Sequence, residues 1–223
     1  MYRQKGPVIG VVLLSLLLIF GSIGLACAPK PDETPTSLPP LPAPQDLPAN
    51  YTTYTDESNI FSISYPSDWE NASSHIPAIE QTARETIGQV ESGIPLEKAS
   101  IVFVSGKLKD TGFDPNINIA VETAPVQVSS NAGLVEAEIL GVKQIVADYQ
   151  EFSRVNTTID GRDATIIDFE GTFPGMTDKV HGLIMCTLAG RTGWIVTCGT
   201  VTEDFNAWKS DFDIIVRSLR IAD

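Results

Sequence analysis

The sequence has few of the residues on which metal centres depend. Its 223 residues include three cysteines and only two histidines, His75 and His181. Neither histidine has another histidine or a cysteine at metal-ligand spacing, and the thiols of Cys186 and Cys198 alone do not make a metal site. We therefore expect no metal cofactor.

The short motifs of nucleotide-binding enzymes and serine hydrolases are also missing. The chain contains no Walker-type phosphate loop and no glycine-rich dinucleotide fingerprint. A Ser–His–Asp arrangement would have to use His181, but no Gly-x-Ser-x-Gly segment is present to position the serine. These absences predict a protein that is not an enzyme and holds no cofactor.

Positive charge is scarce as well. The chain has 15 lysines and arginines against 28 aspartates and glutamates, which gives a formal net charge of −13. An acidic surface repels phosphate backbones and anionic lipid headgroups, so nucleic acid is excluded as a partner, and so is membrane binding driven by charge. Solubility is the simplest explanation of this acidity.

Residues 7–26 carry no charge and follow a short basic head with Arg3 and Lys5. A basic head, an apolar body and a small residue before a cleavage site are typical of an export signal. The apolar body is also long enough to approach a membrane-spanning helix. Residues 1–26 are therefore either a signal peptide cleaved before Cys27 or an uncleaved membrane anchor. Both place the rest of the chain outside the cytoplasmic membrane, because the basic head stays inside.

Residues 23–27, Ile-Gly-Leu-Ala-Cys, resemble the lipobox of bacterial lipoproteins, in which small and apolar residues lead directly to the lipidated cysteine. That family prefers leucine three residues before the cysteine, where this chain has Gly24. The resemblance implies lipidation of Cys27 and a location on the extracytoplasmic face of the cell membrane.

Residues 27–50 are rich in proline, with eight of the fifteen prolines between Ala28 and Asn50. Proline fixes the backbone φ angle and removes a hydrogen-bond donor, so we expect an extended spacer of about 3 Å per residue. Such a tether would hold the following domain away from the membrane. A proline-rich ligand for a groove on another protein is the alternative.

Residues 51–223 are long enough for one domain with a single core. Phe61, Ile63 and Tyr65 alternate along one face of a strand that ends at Pro66. The dipeptide at residues 160–161, Asp-Gly, predicts a tight hairpin. Further strands are predicted over residues 99–106, 116–123, 152–158, 164–170, 183–189 and 194–200.

Three segments have apolar residues at helical spacing: residues 77–91, residues 132–149 and a last segment that begins after Thr202. Asn131 is the expected cap of the second helix and Thr202 of the third, because short polar side chains accept hydrogen bonds from the first turn. The predicted fold class is α+β, with a mostly antiparallel sheet and helices packed across it.

Cys186 and Cys198 lie in the last two predicted strands, on either side of a turn within residues 190–193. If the turn is centred near Thr192, the two side chains face each other on adjacent strands. A disulfide would persist outside the cytoplasm, whereas two free buried thiols are ordinary core residues. Both alternatives stay open.

Four acidic residues, Asp160, Asp163, Asp168 and Glu170, lie along one predicted hairpin. Carboxylate oxygens suit a calcium ion, but the spacing is not that of an EF-hand. We expect a solvated acidic face here.

Residues 61–66, Phe-Ser-Ile-Ser-Tyr-Pro, followed by Trp69, resemble the opening of PsbP/Mog1-like domains. The later order of elements, through the Asp-Gly hairpin to a closing helix, is similar to that group too. The resemblance covers nearly all of residues 51–223 and implies an α/β/α sandwich. Known roles in the group are mostly non-catalytic and include an extrinsic subunit of photosystem II, a nuclear transport accessory and bacterial lipoproteins. No site residues transfer.

The sequence thus predicts a non-catalytic accessory domain, anchored to the membrane by an N-terminal lipid or helix, that binds another envelope protein. The alternative is a small-ligand-binding envelope lipoprotein associated with a transporter or an envelope process. An exposed apolar patch would favour the first function, and enclosed, converging polar groups would favour the second.

Overall fold

The computed structural model of the protein describes residues 47–81, 99–107 and 113–222. The predicted signal segment, Cys27 and residues 28–46 of the predicted tether lie outside the described residues. Within the described part of the chain, no helix is long and apolar enough to cross a membrane.

A small antiparallel sheet has the strand order β1-β2-β10. Its strands are β1 (Tyr51–Thr55), β2 (Phe61–Pro66) and β10 (Arg220–Ile221). The predicted strand that ends at Pro66 is confirmed as β2. The turn between β1 and β2 is held by Asp56, which accepts hydrogen bonds from the backbone N–H groups of Ser58 at 3.0 Å and Phe61 at 2.9 Å.

A larger antiparallel sheet has the strand order β3-β4-β5-β9-β8-β7-β6. Its strands are β3 (Glu70–Asn71), β4 (Ala99–Gly106), β5 (Asn116–Thr123), β6 (Ala147–Ile159), β7 (Arg162–Thr172), β8 (Val180–Ala189) and β9 (Thr192–Val201). The predicted hairpin joins β6 to β7, and its two loop residues, Asp160 and Gly161, both have positive φ, as a type I′ turn requires.

Helices pack on both faces of the larger sheet. On one face, α1 (Asn131–Ile145) buries Leu134, Val135, Ile139 and Val142, and helical residues 76–81 contribute Ile79. On the other face, α2 (Phe205–Arg217) and the small sheet share a second core cluster. We call these the α1 face and the α2 face. The predicted α+β class is confirmed. The first predicted helix is described only to residue 81.

The N-cap of α1 differs from the prediction. Ser130, not Asn131, is the cap, because its side chain accepts a hydrogen bond from Gly133 N at 3.2 Å. The helix also ends earlier than predicted. Val146 has an extended backbone, and residues 147–149 belong to β6, where Ala147 pairs with Thr172. Pairing with β7 overrides the helical spacing that continues to Tyr149.

Thr202 is not a helix cap either. A short 3₁₀ helix, Thr202–Asp204, precedes α2, and neither helix has a side-chain cap. The Thr202 hydroxyl donates instead to Glu170 Oε2 at 2.9 Å.

Cys186 and Cys198 are free, buried thiols, so the disulfide alternative is wrong. The hairpin loop is Gly190-Arg191, which places Ile195 opposite Cys186. Because side chains alternate along a strand, Cys198 then points to the other side of the sheet. Cys186 belongs to the core on the α1 face and Cys198 to the core on the α2 face.

Candidate functional site

The polar side of β5 is buried inside the protein. Ile117 and Ile119 face α2, whereas Asn116, Asn118 and Glu122 face α1 and are at most 3 % exposed. The alternation of this strand is typical of one apolar and one solvated face. In the fold, however, β5 lies between β4 and β9, and the α1 face is covered.

Two neighbouring side chains on this face lack hydrogen-bond partners. Asn118 and Thr197 are register partners on β5 and β9, and both are fully buried. Neither the amide oxygen nor the amide nitrogen of Asn118 is paired, and the Thr197 hydroxyl is unpaired too. Val104 and Ile184 flank them in the same row of the sheet. The surroundings of this polar pair are therefore apolar.

Asn116 continues the row along β5. Its amide nitrogen donates to the Asp114 carbonyl at 2.8 Å, but its amide oxygen has no partner. Each buried polar group left unpaired costs about 1–3 kcal/mol, and native proteins pair the great majority of them.

Glu138 faces the sheet from the middle of α1. It is 0 % exposed, and neither carboxyl oxygen has a hydrogen-bond partner. Burial, and after it the nearby Glu122 carboxylate, raises the pKa of Glu138 well above the ordinary value of 4.5. Glu138 is therefore held in its neutral form, because an isolated buried charge is far more costly than a buried acid.

The thiol of Cys186 lies close to these carboxyl groups. Its pKa is raised well above the usual 9.0 by burial and, to a lesser extent, by Glu138 and Glu122. A thiol acts as a nucleophile through its thiolate, so Cys186 is suited to packing rather than to chemistry.

The helix lies tightly on the sheet at this place. A Cβ atom on Gly193 would come within 2.9 Å of Leu134 Cδ1 and 3.2 Å of Glu122 Cγ. Glu138 follows Leu134 by about one helical turn, so it faces the sheet one turn further along α1 than Leu134 does. We use the name polar stripe for Asn116, Asn118, Glu122, Glu138 and Thr197.

A second polar cluster lies on the α2 face. Asp168 bridges His181 Nε2 at 2.6 Å and Lys209 Nζ at 2.9 Å. Beside Asp168, Glu170 accepts a charged hydrogen bond from Lys179 Nζ at 2.9 Å. The pKa of Glu170 is lowered, chiefly by the hydrogen bond from Lys179. We call these five residues the ion-pair cluster.

An aromatic stack covers the ion-pair cluster. The His181 ring lies flat on Phe205, with centroids 3.5 Å apart and planes 8° apart. The Phe152 ring also contacts the imidazole, at a centroid distance of 5.0 Å and with a tilt of 34° between the planes. An Asp–His contact of this kind also occurs in the catalytic sites of hydrolases, where the histidine is in turn bonded to a nucleophile. In the described part of the chain, no serine or threonine hydroxyl is bonded to His181, and both described thiols are buried.

The predicted solvated acidic face is wrong for two of its four residues. Asp168 is 7 % and Glu170 is 9 % exposed, because the even-numbered positions of β7 point towards α2. Asp160 instead joins the sheets, accepting from Arg162 at 2.7 Å and from Ile221 N at 2.8 Å. Only Asp163 is exposed. Among the described residues, no group of three or more His, Cys, Asp or Glu is placed to hold a metal ion.

Sequence reasoning did not identify the polar stripe. Glu138 has a sequence signal, because it lies at helical spacing between Leu134 and Val142, both inner-face residues. An acid within an apolar stripe is a candidate functional residue. Asn118 and Thr197 give no such signal, since polar residues in strands usually face solvent. Cys27 lies outside the described residues, and His75 is exposed on a 3₁₀ turn.

Comparison with known proteins gives matches to structures only. No family model and no curated protein matches the chain. The solution structure of cyanobacterial PsbP (CyanoP) from Synechocystis sp. PCC 6803 has a TM-score of 0.51 and 13% identity over 80% of this chain and 96% of that one. LpqN of Mycobacterium tuberculosis, which is involved in cell envelope biogenesis, has a TM-score of 0.47 and 11% identity over 78% of this chain and 91% of that one.

A variant of the protein Mog1 also matches, with a TM-score of 0.47 and 11% identity over 78% of this chain and 97% of that one. The likeness to CyanoP shows the fold. The predicted PsbP/Mog1-like sandwich is therefore confirmed.

Proposed function

We propose that this chain is a non-catalytic accessory domain, held at the extracytoplasmic face of the cell membrane through Cys27, that binds another envelope protein. The observation that carries protein binding is Phe152, an aromatic side chain 49% exposed on the outermost strand of the larger sheet. Asp168 and His181, the kind of pair that a hydrolase would use, instead help to join β7, β8 and α2, because Asp168 contacts both His181 and Lys209.

Phe152 differs from the other exposed large apolar residues of the described chain. Ile60, Val126 and Leu140 are aliphatic, and Phe152 is the aromatic residue among these four. Phe152 lies at a bulge between Glu151 and Ser153, and its ring rests on His181. An aromatic side chain held in place in this way loses little conformational entropy on binding, and aromatic anchors dominate protein interfaces.

We expect a photo-reactive amino acid at position 152 of the full-length protein to form one recurrent adduct with an envelope protein in intact cells. The same probe at position 140 is the matched control, because Leu140 is 45% exposed on the outer side of α1. Gel shift and mass spectrometry of the adducts identify the partner. Equal adducts from both positions, or none from position 152, would contradict the proposed interface.

The anchor makes a separate prediction. A labelled fatty acid should enter the wild-type protein and be absent from Cys27→Ser, which should also keep its first 26 residues, because both cleavage and lipid attachment depend on the thiol. Equal labelling of the two proteins rules out lipidation at Cys27. A wild-type protein that is unlabelled and retains Met1 would show the uncleaved-helix alternative.

The polar stripe supports a second candidate function, the binding of a small ligand. Its unpaired polar atoms are enclosed and belong to three elements, β5, β9 and α1. Enclosed polar groups in apolar surroundings are typical of small-molecule sites. Partner binding at Phe152 and ligand binding at the polar stripe would use opposite faces of the larger sheet.

A further inference from the structure

The two edges of the larger sheet differ in how their backbone groups are bonded. At the β4 edge, Ala72 N donates to the Val104 carbonyl at 2.9 Å, and Glu80 Oε1 accepts from Ile101 N at 3.1 Å. At the other edge, β6 is the outermost strand. Among the residues that the structure describes, none outside the β6–β7 ladder bonds the backbone of β6 in this way. One edge of the sheet is thus covered by the chain itself, and the other is open.

The β6–β7 hairpin shows which backbone groups of β6 point outward. Ile159 and Arg162 flank the two-residue loop, so they form the hydrogen-bonded pair next to the turn. Along an antiparallel ladder, such pairs alternate with pairs that are not hydrogen-bonded to each other. The N–H and C=O groups of Arg154, Asn156 and Thr158 therefore point away from β7 and are available to another strand.

β6 has few of the features by which proteins protect an open edge. It is 13 residues long and contains no proline and no lysine. Both of its register shifts lie before Ser153, so the stretch from Ser153 to Ile159 pairs regularly with β7. The charged residue of that stretch is Arg154. A regular, exposed edge of this kind is a template for pairing with another strand.

The two sides of this edge suit different side chains in a partner. Phe152 and Val155 lie on the α2 face, since the Phe152 ring contacts His181 and Val155 pairs with a residue of the α2-face core. On the α1 face, Arg154 bonds two carboxylates, Glu151 and Glu136, so this group carries net negative charge. Together with the formal net charge of −13, it favours a basic partner.

We propose that the envelope partner adds an extended segment to the open edge of β6, antiparallel to it, as a further strand of the larger sheet. The main chain of the segment bonds the outward groups of Arg154, Asn156 and Thr158. An apolar side chain packs beside Phe152, and a basic side chain reaches Glu151. Because side chains alternate along a strand, the segment alternates apolar and polar residues.

A second copy of this chain suits the edge less well, because two strongly acidic molecules repel each other. The inference rests on the proposed function, the binding of another envelope protein at Phe152, and names the form in which that partner binds.

The test in intact cells places the photo-reactive amino acid at position 152 in two further variants of the full-length protein. Asn156→Pro removes an N–H group that β7 does not use, and proline is tolerated at such edge positions. Asn156→Ala is the matched control, because both variants lose the hydrogen bond from Thr165 to the Asn156 side chain, but alanine keeps the N–H. We expect about tenfold less adduct in Asn156→Pro and an amount within about twofold of the parent in Asn156→Ala.

A synthetic peptide, Lys-Val-Thr-Val-Thr-Val-Lys, tests the same pairing without changing the protein. In antiparallel pairing with its valines on the α2 face, the N–H groups of its threonines face β6 and those of its valines face away. Fluorescence anisotropy with the full-length protein in detergent should show saturable binding. N-methylation of both threonines should weaken it about tenfold, whereas N-methylation of two valines should change it less than about threefold.

Absence of saturable peptide binding, or equal weakening by the two methylation patterns, would overturn strand addition. An adduct equally strong in Asn156→Pro and Asn156→Ala would also overturn it and would leave the proposed envelope partner standing. Absence of any adduct from position 152 of the otherwise unchanged protein would instead contradict the proposed function, and this inference with it. A dimer in analytical ultracentrifugation that Asn156→Pro dissociates would identify the added strand as a second copy and overturn the partner segment.

Discussion

Glu138→Gln raises the free energy of unfolding of this protein, and its advantage over the wild-type protein grows as the pH rises. The pKa of Glu138 is raised in the folded state, where burial and Glu122 disfavour its charge. Below about pH 4.5 the side chain is protonated in both the folded and the unfolded chain. Above that pH the unfolded chain ionises first, so the wild-type protein loses up to about 1.4 kcal/mol per pH unit until the folded group ionises.

Urea unfolding of both proteins at several pH values between 4 and 8 measures this difference. Glutamine at position 138 carries no titrating proton, whereas Glu122 on β5 and Cys186 on β8 face it in both proteins. Their contributions therefore cancel to first order. Glu136→Gln, on the exposed side of α1, should run parallel to the wild-type curve. Parallel curves for Glu138→Gln as well would mean that Glu138 is not a buried neutral acid.

Asp168→Ala lowers the free energy of unfolding by about 2–3 kcal/mol. The Asp168 carboxylate joins β7 to β8 through His181 and to α2 through Lys209. Removing it leaves the His181 imidazole buried against Phe205 without its acceptor, and removing one partner of a buried pair costs about 3–5 kcal/mol. The expected effect is smaller here because the Lys209 side chain is 56% exposed and can turn into solvent.

The matched control for this prediction is Asp178→Ala. Asp178 is exposed, and its carboxylate accepts a weak hydrogen bond from Thr177 Oγ1 at 3.4 Å. We expect its removal to change stability by less than about 0.5 kcal/mol. A double-mutant cycle of Asp168→Ala with Lys209→Ala isolates the contribution of the lysine. If Asp168→Ala is as stable as the control, the ion-pair cluster does not hold α2 on the sheet.

Most of the fold follows from local patterns in the sequence. Alternation of apolar residues indicates β2 and β5, and a short continuous apolar run indicates β4. The Asp160-Gly161 dipeptide indicates the β6–β7 hairpin, because only a few residue types accept positive φ. The order of these elements was enough to indicate a PsbP/Mog1-like sandwich. The ends of the helices are less well predicted. The helical spacing of apolar residues continues to Tyr149, but α1 ends at Ile145 because Ala147 pairs with Thr172 in the sheet.

The candidate site could not be predicted in the same way. Alternation along β5 shows that one face is polar, but whether that face meets water or another layer is decided by the neighbours of the strand. Here β4, β9 and α1 enclose it. A strand pattern therefore predicts the secondary structure of Asn118 but not the surroundings of its side chain.

The cysteines show how sensitive such inferences are to register. A loop centred near Thr192 would have placed Cys186 opposite Cys198, whereas the Gly190-Arg191 loop places Ile195 there. A shift of this size moves a side chain to the opposite face of the sheet. Asp168 and Glu170 were placed in solvent for a related reason, because the approach of α2 is not encoded in the strand that it covers.

The most direct test of the interior site is the carbon-13 NMR titration of the Glu138 carboxyl group, assigned by its loss in Glu138→Gln. An enclosed, unpaired acid should keep the chemical shift of the protonated form well above pH 4.5. A carboxyl group that ionises near pH 4.5 without ligand would show that Glu138 is already solvated or paired. That result would contradict a buried, neutral Glu138 between α1 and β5.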